Sequence, residues 1–491
     1  MIAKYTVLIL YFAILFGIAI VASRRISSLK DFYLGGKNLG HWVAAFSARA
    51  TGESGWLILG VTGMGAMMGV SAFWVVIGEV LGVFISWQFM AKRFKRLADE
   101  YEAITIPDYL VSRFQSTTNR LRIVAATVLS VFVIIYVSAQ IDITGKTFET
   151  FLGINYYVGA LLGFTIVLIY IFIGGFLAVA WSDLFQGSLM FFGLVALPVV
   201  AFFVADFPGG IFTALGNIDP DLLNIWGPGG FNMINVATAI GLATIGLGFM
   251  GSPQVYVRFI AIRDEQEIEK GKVVALLYTL FTDSAAVFIG ILGRVLFTRI
   301  GDNPENILGI SAENVLPILV ETVLPIALVG LYIGVILAAV MSTIDSLLVV
   351  ASSAVTRDFY QQIFHPNMEG RRLTALSRYV TLVMALIALA IAMAVSVLSP
   401  DRTIFWFVIF GWSGIAATFC PTIILSLFWK DFTENGAIAA MIAGFVTVPI
   451  TKFILATNAT FGVYFEKLDV MAPSFAMGLL AGYIASKLDN K

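Results

Sequence analysis

The chain has 491 residues, of which 59% are hydrophobic and only 12% charged, with a formal net charge of −1. A soluble domain is about 25% charged, so a soluble fold is excluded, and the balanced charge offers no basic surface for nucleic acid. One cysteine, Cys420, rules out an internal disulfide, and two histidines, His41 and His365, argue against a metal site and most metal-dependent enzymes.

A bilayer core about 30 Å thick takes about 20 apolar residues per spanning helix. Such windows fall at 5–23, 41–69, 72–91, 123–148, 156–177, 182–204, 233–257, 273–297, 315–350, 376–398, 403–428, 435–455 and 468–486. An all-α polytopic membrane protein of about thirteen transmembrane helices is predicted. The first window is too long for a signal-peptide core, lacks a small-residue cleavage pattern and is followed by Arg24 and Arg25, so it reads as a retained helix. Arg24, Arg25, Lys30 and Lys37 follow span one, and Lys92, Arg93, Lys95, Arg96, Arg113 and Arg120 follow span three. The connection after span six carries Asp206, Asp219 and Asp221 and no Lys or Arg. The positive-inside rule then places the N-terminus outside and, for an odd number of spans, the C-terminus in the cytoplasm. The longest polar connections, 92–121 and 205–232, are too short for an appended soluble domain, so 1–491 is expected to be a single membrane domain.

The second window contains "ATGESGWLILG", Ala50 to Gly60, with Thr51, Gly52, Glu53, Ser54 and Gly55 where lipid offers the backbone no partner. Thr51, Gly52, Ser54 and Gly55 lower the cost of unwinding and would leave carbonyls free to face a cation; close packing of small residues explains them equally well. A second interrupted window reads "IGLGFMGSPQ", with Gly246, Gly248, Gly251 and Pro253. Transporters built from inverted repeats place their binding site at such paired interruptions. In the ninth window Ala339, Ser342, Thr343 and Ser346 recur at three- and four-residue spacings, and Asp345 lies three after Ser342. Converging hydroxyl and carboxylate oxygens suit a small hard cation. Interhelical hydrogen bonding would account for the serines but not for Asp345.

The chain resembles the sodium:solute symporters of the sodium/proline type. The likeness is carried by "DFYLGGKNLG" (31–40), "SGWLILG" (54–60), "TIPDYLVSRF" (105–114), "GGFLAVAWSDLFQGSLM" (174–190), "LAAVMSTIDSLLVVASSAVTRDFY" (337–360) and "PTIILSLFWKDFTENGAIAAMIAG" (421–444), in that order. It implies a leucine-transporter-type fold: an extra helix at 5–23, a first five-helix repeat over 41–204, an inverted second repeat over 233–428, and two C-terminal helices over 435–487, the first helix of each repeat being broken.

The resemblance also implies Na+ as coupling ion. Its site would use the carbonyls of Ala50 and Glu53 in the broken helix with Ala339, Ser342 and Thr343 in the ninth span. A second Na+ would fall to Asp183 of "WSDLFQ" with Ser342, Asp345 and Ser346, although a helix N-terminus at the membrane edge would also favour Asp183. Solute would lie beside the broken helices, near Ser54, Gly55, Trp56, Tyr136, Ile245, Phe249 and Pro253. The chain departs from the family pattern there: Gly52 replaces an aspartate, the acid moves to Glu53, and two aromatic groups become Ile245 and Phe249, the second without a hydroxyl.

Arg49, Glu79 and Asp142 stand at membrane depth where the resemblance implies small or apolar residues, and each ionised group costs roughly 2.5 to 3.5 kcal/mol at a helix centre. Arg49 and Glu53 are four apart, as are Asp142 and Lys146, so an intramembrane charge network of these five groups is expected; snorkelling of Arg49 and Glu79 is the alternative. The function expected is Na+-coupled symport of a small organic solute by alternating access in the plasma (inner) membrane, with proline as first guess and a monomer sufficient, an oligomer being left open. A monocarboxylate, a vitamin-like acid or a sugar, or H+ coupling through Glu53, are the alternatives within this class. No filter motif favours a channel, no catalytic cluster an enzyme, and no signalling domain a sensor.

Overall fold

The computed structural model describes residues 2–24, 33–204, 207 and 209–489; Arg25, Lys30, the first two residues of "DFYLGGKNLG" and Asp206 lie outside them. Within hydrocarbon the backbone can satisfy itself only as a helix or a closed barrel. The described residues form helices and no strand, with one isolated parallel bridge between Leu39 and Ile262. Among the described residues ten helices are long and apolar enough to cross a membrane, or up to eleven when the bent pair Gly462–Leu468 and Met471–Asp489, at 89°, forms one span.

Several helices are interrupted where the sequence is small or polar. The run His41–Glu100 has 60 residues, about 90 Å if straight. It breaks first at Ser54 (φ 33°, ψ −167°), continues through a π-helical turn at Trp56–Val61, and breaks again at Gly69 (φ 57°). A serine at positive φ is strained by about 1–3 kcal/mol and needs surrounding structure to hold it. The segment Tyr156–Val204 kinks at Gly175 (φ 55°). The second interrupted window becomes helix Met233–Thr244, a 3₁₀ turn Ile245–Met250 and helix Pro253–Ala261, with Pro253 in its first turn. The 3₁₀ turn lies directly on helix Phe73–Ile85, where a Cβ at Gly246 would stand 1.9 Å from the Gly78 carbonyl oxygen. Only glycine permits that approach.

Helix Ile326–Ser353 carries the hydroxyl stripe and is buried from Tyr332 to Ser353. It packs against the first broken helix, so the two constellations picked out in the sequence are neighbours. The strand-like bridge ties the start of the first interrupted segment to the end of the second: Leu39 N–H donates to the Ala261 carbonyl at 3.1 Å, and Arg263 N–H to that of Leu39 at 3.0 Å.

Candidate functional site

Ser342 Oγ lies 3.1 Å from the Ala50 carbonyl oxygen and 3.1 Å from that of Ala339. Thr343 Oγ1 lies 3.1 Å from the Thr51 carbonyl oxygen and 3.0 Å from that of Ala339. Two hydroxyls and three carbonyls thus converge where the first helix approaches its break, and all five residues are buried. The Glu53 carbonyl accepts the Trp56 N–H instead, and Thr51 supplies the second broken-helix oxygen that a hydroxyl reaches. A hard cation holding ligands at about 2.3–2.6 Å separates adjacent octahedral oxygens by about 3.3 to 3.7 Å. The cluster needs to open by only a few tenths of an ångström to take one.

The break itself is held by Tyr136 and Trp56, expected near the solute, and by Gln140 and Trp412, which the sequence did not single out. Gln140 Nε2 donates to Ser54 Oγ at 3.3 Å while its Oε1 accepts the Gly55 N–H at 3.3 Å, and the Tyr136 hydroxyl donates to Ser54 Oγ at 3.2 Å. Trp56 Nε1 donates to the Gly52 carbonyl at 3.1 Å. Trp412 joins the two interruptions: its Nε1 donates to the Ile245 carbonyl at 3.0 Å, and its ring centroid is 4.9 Å from that of Phe249 and 6.4 Å from that of Tyr136. Of the expected solute residues, Ser54, Gly55, Trp56, Tyr136, Ile245 and Phe249 share this buried neighbourhood. Pro253 instead lines a 10 Å³ crevice with Thr105, Pro107 and Val349.

Gly52 and Phe249 prove to be one feature. A Cβ at Gly52 would stand 2.3 Å from Phe249 Cε1, so the ring fills the space a side chain at 52 would need. The same ring also meets Arg49, whose guanidinium carbon lies over it, 4.1 Å from the centroid.

Arg49 is 1% exposed and Glu53 and Glu79 are fully buried, so snorkelling to the membrane edge is excluded. Arg49 reaches Glu53 Oε1 at 2.6 Å through Nη2 and 3.0 Å through Nε, and Glu79 Oε2 at 3.2 Å through Nη2. The Thr282 hydroxyl lies 3.3 Å from each Glu53 oxygen and 3.2 Å from Asp283 Oδ1, which brings a third buried acid to the cluster. Asp142 and Lys146 do not join it. They pair with each other at 3.6 Å, and Asp142 also meets Arg402 and accepts the Tyr156 hydroxyl at 2.6 Å.

Asp183 is fully buried inside helix 175–204 rather than at a helix end, so an edge position near an N-terminus is excluded. Its Oδ2 accepts from Ser47 Oγ at 2.6 Å and from Arg258 Nη2 at 3.0 Å. The same Nη2 donates to Thr51 Oγ1 at 3.0 Å and Ser346 Oγ at 2.5 Å, while Arg258 Nε donates to Ser47 at 2.9 Å. A guanidinium therefore stands between Asp183 and Ser346, the groups expected to hold a second Na+; Ser342 faces Ala50 instead, and Asp345 is buried on the same helix.

A cavity of 290 Å³ lined by Leu59, Lys146, Glu313, Arg402 and Ile404 reaches the broken helix from the side of the Tyr156 and Ile404 helix starts. Glu313 Oε1 accepts the Phe405 N–H at 3.1 Å. Burial pushes the Glu313 carboxyl up to about 7, against the opposing pull of Lys146 and the backbone N–H groups. At the other end, Arg122 bridges Asp108 at 2.8 Å and Asp358 at 3.0 Å, Arg357 joins Asp108 at 3.1 Å, and Thr105 donates to Asp358 at 2.8 Å. Burial works to raise the Asp108 carboxyl, but Arg357 and Arg122 outweigh it and hold it below its usual range.

These features carry a family identity, because the profile of the sodium:solute symporter family matches residues 32–444. The chain belongs to that family. The symporter is similar to the high-affinity proline transporter PutP of Bacillus subtilis (strain 168), 35% identical over 95% of this chain and 94% of that protein. It is also similar to the sodium/proline symporter of Escherichia coli (strain K12), 33% identical over 89% of this chain and 85% of that protein. A Na+-coupled sialic acid symporter, solved in a substrate-bound outward-open state, superposes with a TM-score of 0.80 at 22% identity, covering 99% of this chain and 97% of that one. That likeness bears on the fold. The symporter is accordingly a multi-pass membrane transporter that couples movement of a small solute to Na+, and it is not an enzyme.

Proposed function

We propose that this symporter carries proline together with Na+ by alternating access. The observation that supports the reading most is the meeting of the Ala50 and Thr51 carbonyls with Ala339, Ser342 and Thr343, which joins the broken helix to helix Ile326–Ser353. Na+ seated there links the two and completes the pocket bounded by Ser54, Gly55, Trp56, Tyr136, Ile245 and Phe249, while the Glu53 carbonyl stays on the Trp56 N–H. The aromatic wall of Tyr136, Phe249 and Trp412 suits an apolar ring. The half-helix that begins after Ser54 turns its positive end toward a carboxylate. Proline combines those two features, and the relatives named above are proline transporters.

The architecture we infer has thirteen spans. The run His41–Glu100 counts as two, divided at Gly69, and Tyr156–Phe172 and the bent C-terminal pair each add one to the ten clear helices. The two five-helix repeats are then 41–204 and 233–428, with 5–23 before them and 435–487 after. The charge distribution supports an N-terminus outside and a C-terminus in the cytoplasm, which puts the 290 Å³ cavity on the outer face and the ion pairs around Asp108 on the inner.

A specific observation favours a second reading for the coupling ion. Among the described residues Arg49 is the one cation bonded to Glu53 and Glu79, and Asp283 adjoins them, so three buried acids share one positive charge. A proton held in this cluster would make Glu53 a carrier of H+. Proteoliposomes test both readings: labelled proline should accumulate under an inward Na+ gradient, exchange in counterflow, and respond to Na+ concentration through Ser342 and Thr343. Accumulation driven by a pH gradient alone, and lost in Glu53→Gln, would replace Na+ coupling by H+ coupling. Na+-driven uptake of another solute in place of proline would overturn the substrate assignment.

A further inference from the structure

The cationic residues after the third span do more than set orientation. Helix Ala91–Glu100, helix Ile106–Phe114 and the segment following helix Ile404–Phe428 surround a 520 Å³ cavity lined by Lys92, Arg93, Arg96, Arg113 and Lys430, and among the described residues no acidic side chain lines it. Lys92 and Arg96 are held at the rim by Glu269 and Glu265. Arg113 is fixed by donating to the Ser426 carbonyl at 3.1 Å and that of Trp429 at 3.4 Å. Among the described residues Arg93 and Lys430 meet no carboxylate, and Arg93 rests 5.3 Å above the Phe428 ring. The cavity therefore holds uncompensated positive charge, with Arg113 fixed in its wall and Arg93 and Lys430 exposed beside it.

Its surroundings are those of a membrane boundary. Phe89 and Phe428 are half exposed beside it, and Trp429 stacks on exposed Tyr483 with centroids 5.2 Å apart. Lys487 Nζ lies 5.6 Å from the Trp429 ring. Exposed aromatic rings next to Lys and Arg mark the headgroup level of the inner leaflet.

We propose that this cavity is a binding site for the phosphodiester headgroup of an anionic phospholipid, which joins 91–114 to the end of the 404–428 helix. The phosphate sits among Arg93, Arg113 and Lys430, and the acyl chains run along Phe89 and Phe428. A free phosphate ion shares the headgroup's charge but gains nothing from the rings, and a zwitterionic lipid shares the chains but brings its own cation.

Native mass spectrometry of the full chain tests the site, with phosphatidylglycerol and phosphatidylcholine offered in equal amounts and the double variant Arg93→Gln/Lys430→Gln in parallel. Neither substituted side chain holds an ion pair, so folding should persist. Each cation near an anionic surface contributes enough that losing two should weaken phosphatidylglycerol retention by roughly 30-fold, with phosphatidylcholine retention unchanged. Equal retention of the two lipids by the unaltered chain, or undiminished phosphatidylglycerol retention by a folded variant, overturns the proposal. Millimolar inorganic phosphate displacing phosphatidylglycerol and raising the melting temperature without lipid would reassign the cavity to a soluble anion. Lipid selectivity of the unaltered chain decides the matter even if the variant fails to fold.

Discussion

Arg49→Gln should be among the most damaging single substitutions outside the ion site, and its interaction with Glu79→Gln tests whether the cluster acts as a unit. Arg49 makes two bonds to Glu53 and one to Glu79 with all three groups buried. Removing one partner of a buried pair costs about 3–5 kcal/mol because the other charge is left unpaired. Arg49→Gln therefore shifts the folded fraction by about two to nearly four powers of ten. Glu79→Gln removes only the longer, 3.2 Å bond and leaves Arg49 on Glu53, so a loss of about 1–3 kcal/mol is expected. The double variant no longer carries an orphaned Glu79, and its loss should fall short of the sum by at least about 1 kcal/mol, within the range seen for residues in one network. Equilibrium unfolding in mixed micelles, followed by tryptophan fluorescence, supplies the four free energies. Additivity within about 0.5 kcal/mol would show that Arg49 and Glu79 do not share an energetic network, and the bracing role would be abandoned.

Ser342→Ala and Thr343→Ala each remove one oxygen from the cluster with Ala50, Thr51 and Ala339, and each should raise the half-saturating Na+ concentration about tenfold in uptake assays, with less change in the maximal rate; an unaltered Na+ dependence would place the ion elsewhere. Gly52→Ala drives a methyl group into Phe249 at 2.3 Å, so solute affinity should fall and be partly restored by Phe249→Leu, whereas independent effects of the two changes would separate the residues. Glu313 has its carboxyl raised to about 7 by burial, so its neutral form favours the folded state; stability should fall as pH rises from about 4.5 to beyond 7, and Glu313→Gln should flatten that slope in thermal melts. An unchanged slope in the variant would assign the titration to another group.

The solvent of this protein is determined by composition alone, because no soluble fold can hide 59% hydrophobic residues behind 12% charged ones. The break at Ser54 and the hydroxyl face from Ala339 to Ser346 are equally local, since small polar residues in an apolar run and a three- or four-residue spacing need no partner to be recognised. Local pattern does not say which oxygen meets which. Thr343 takes the Thr51 carbonyl rather than that of Glu53, and Gln140, unremarkable in its own helix, bridges Ser54 and Gly55. The expected five-residue charge network divides in two because Asp142 meets Arg402 across the fold, while Arg49 gathers Glu79 and the neighbourhood of Asp283. Arg258 was invisible as a partner of Asp183 and Ser346, and it stands where a second Na+ was expected. Buried charge must be neutralised by whatever is nearest in space, and nearness between helices far apart in the chain is set by packing. Periodicity along one helix therefore specifies the face that carries chemistry, and only the assembled bundle decides what that face confronts.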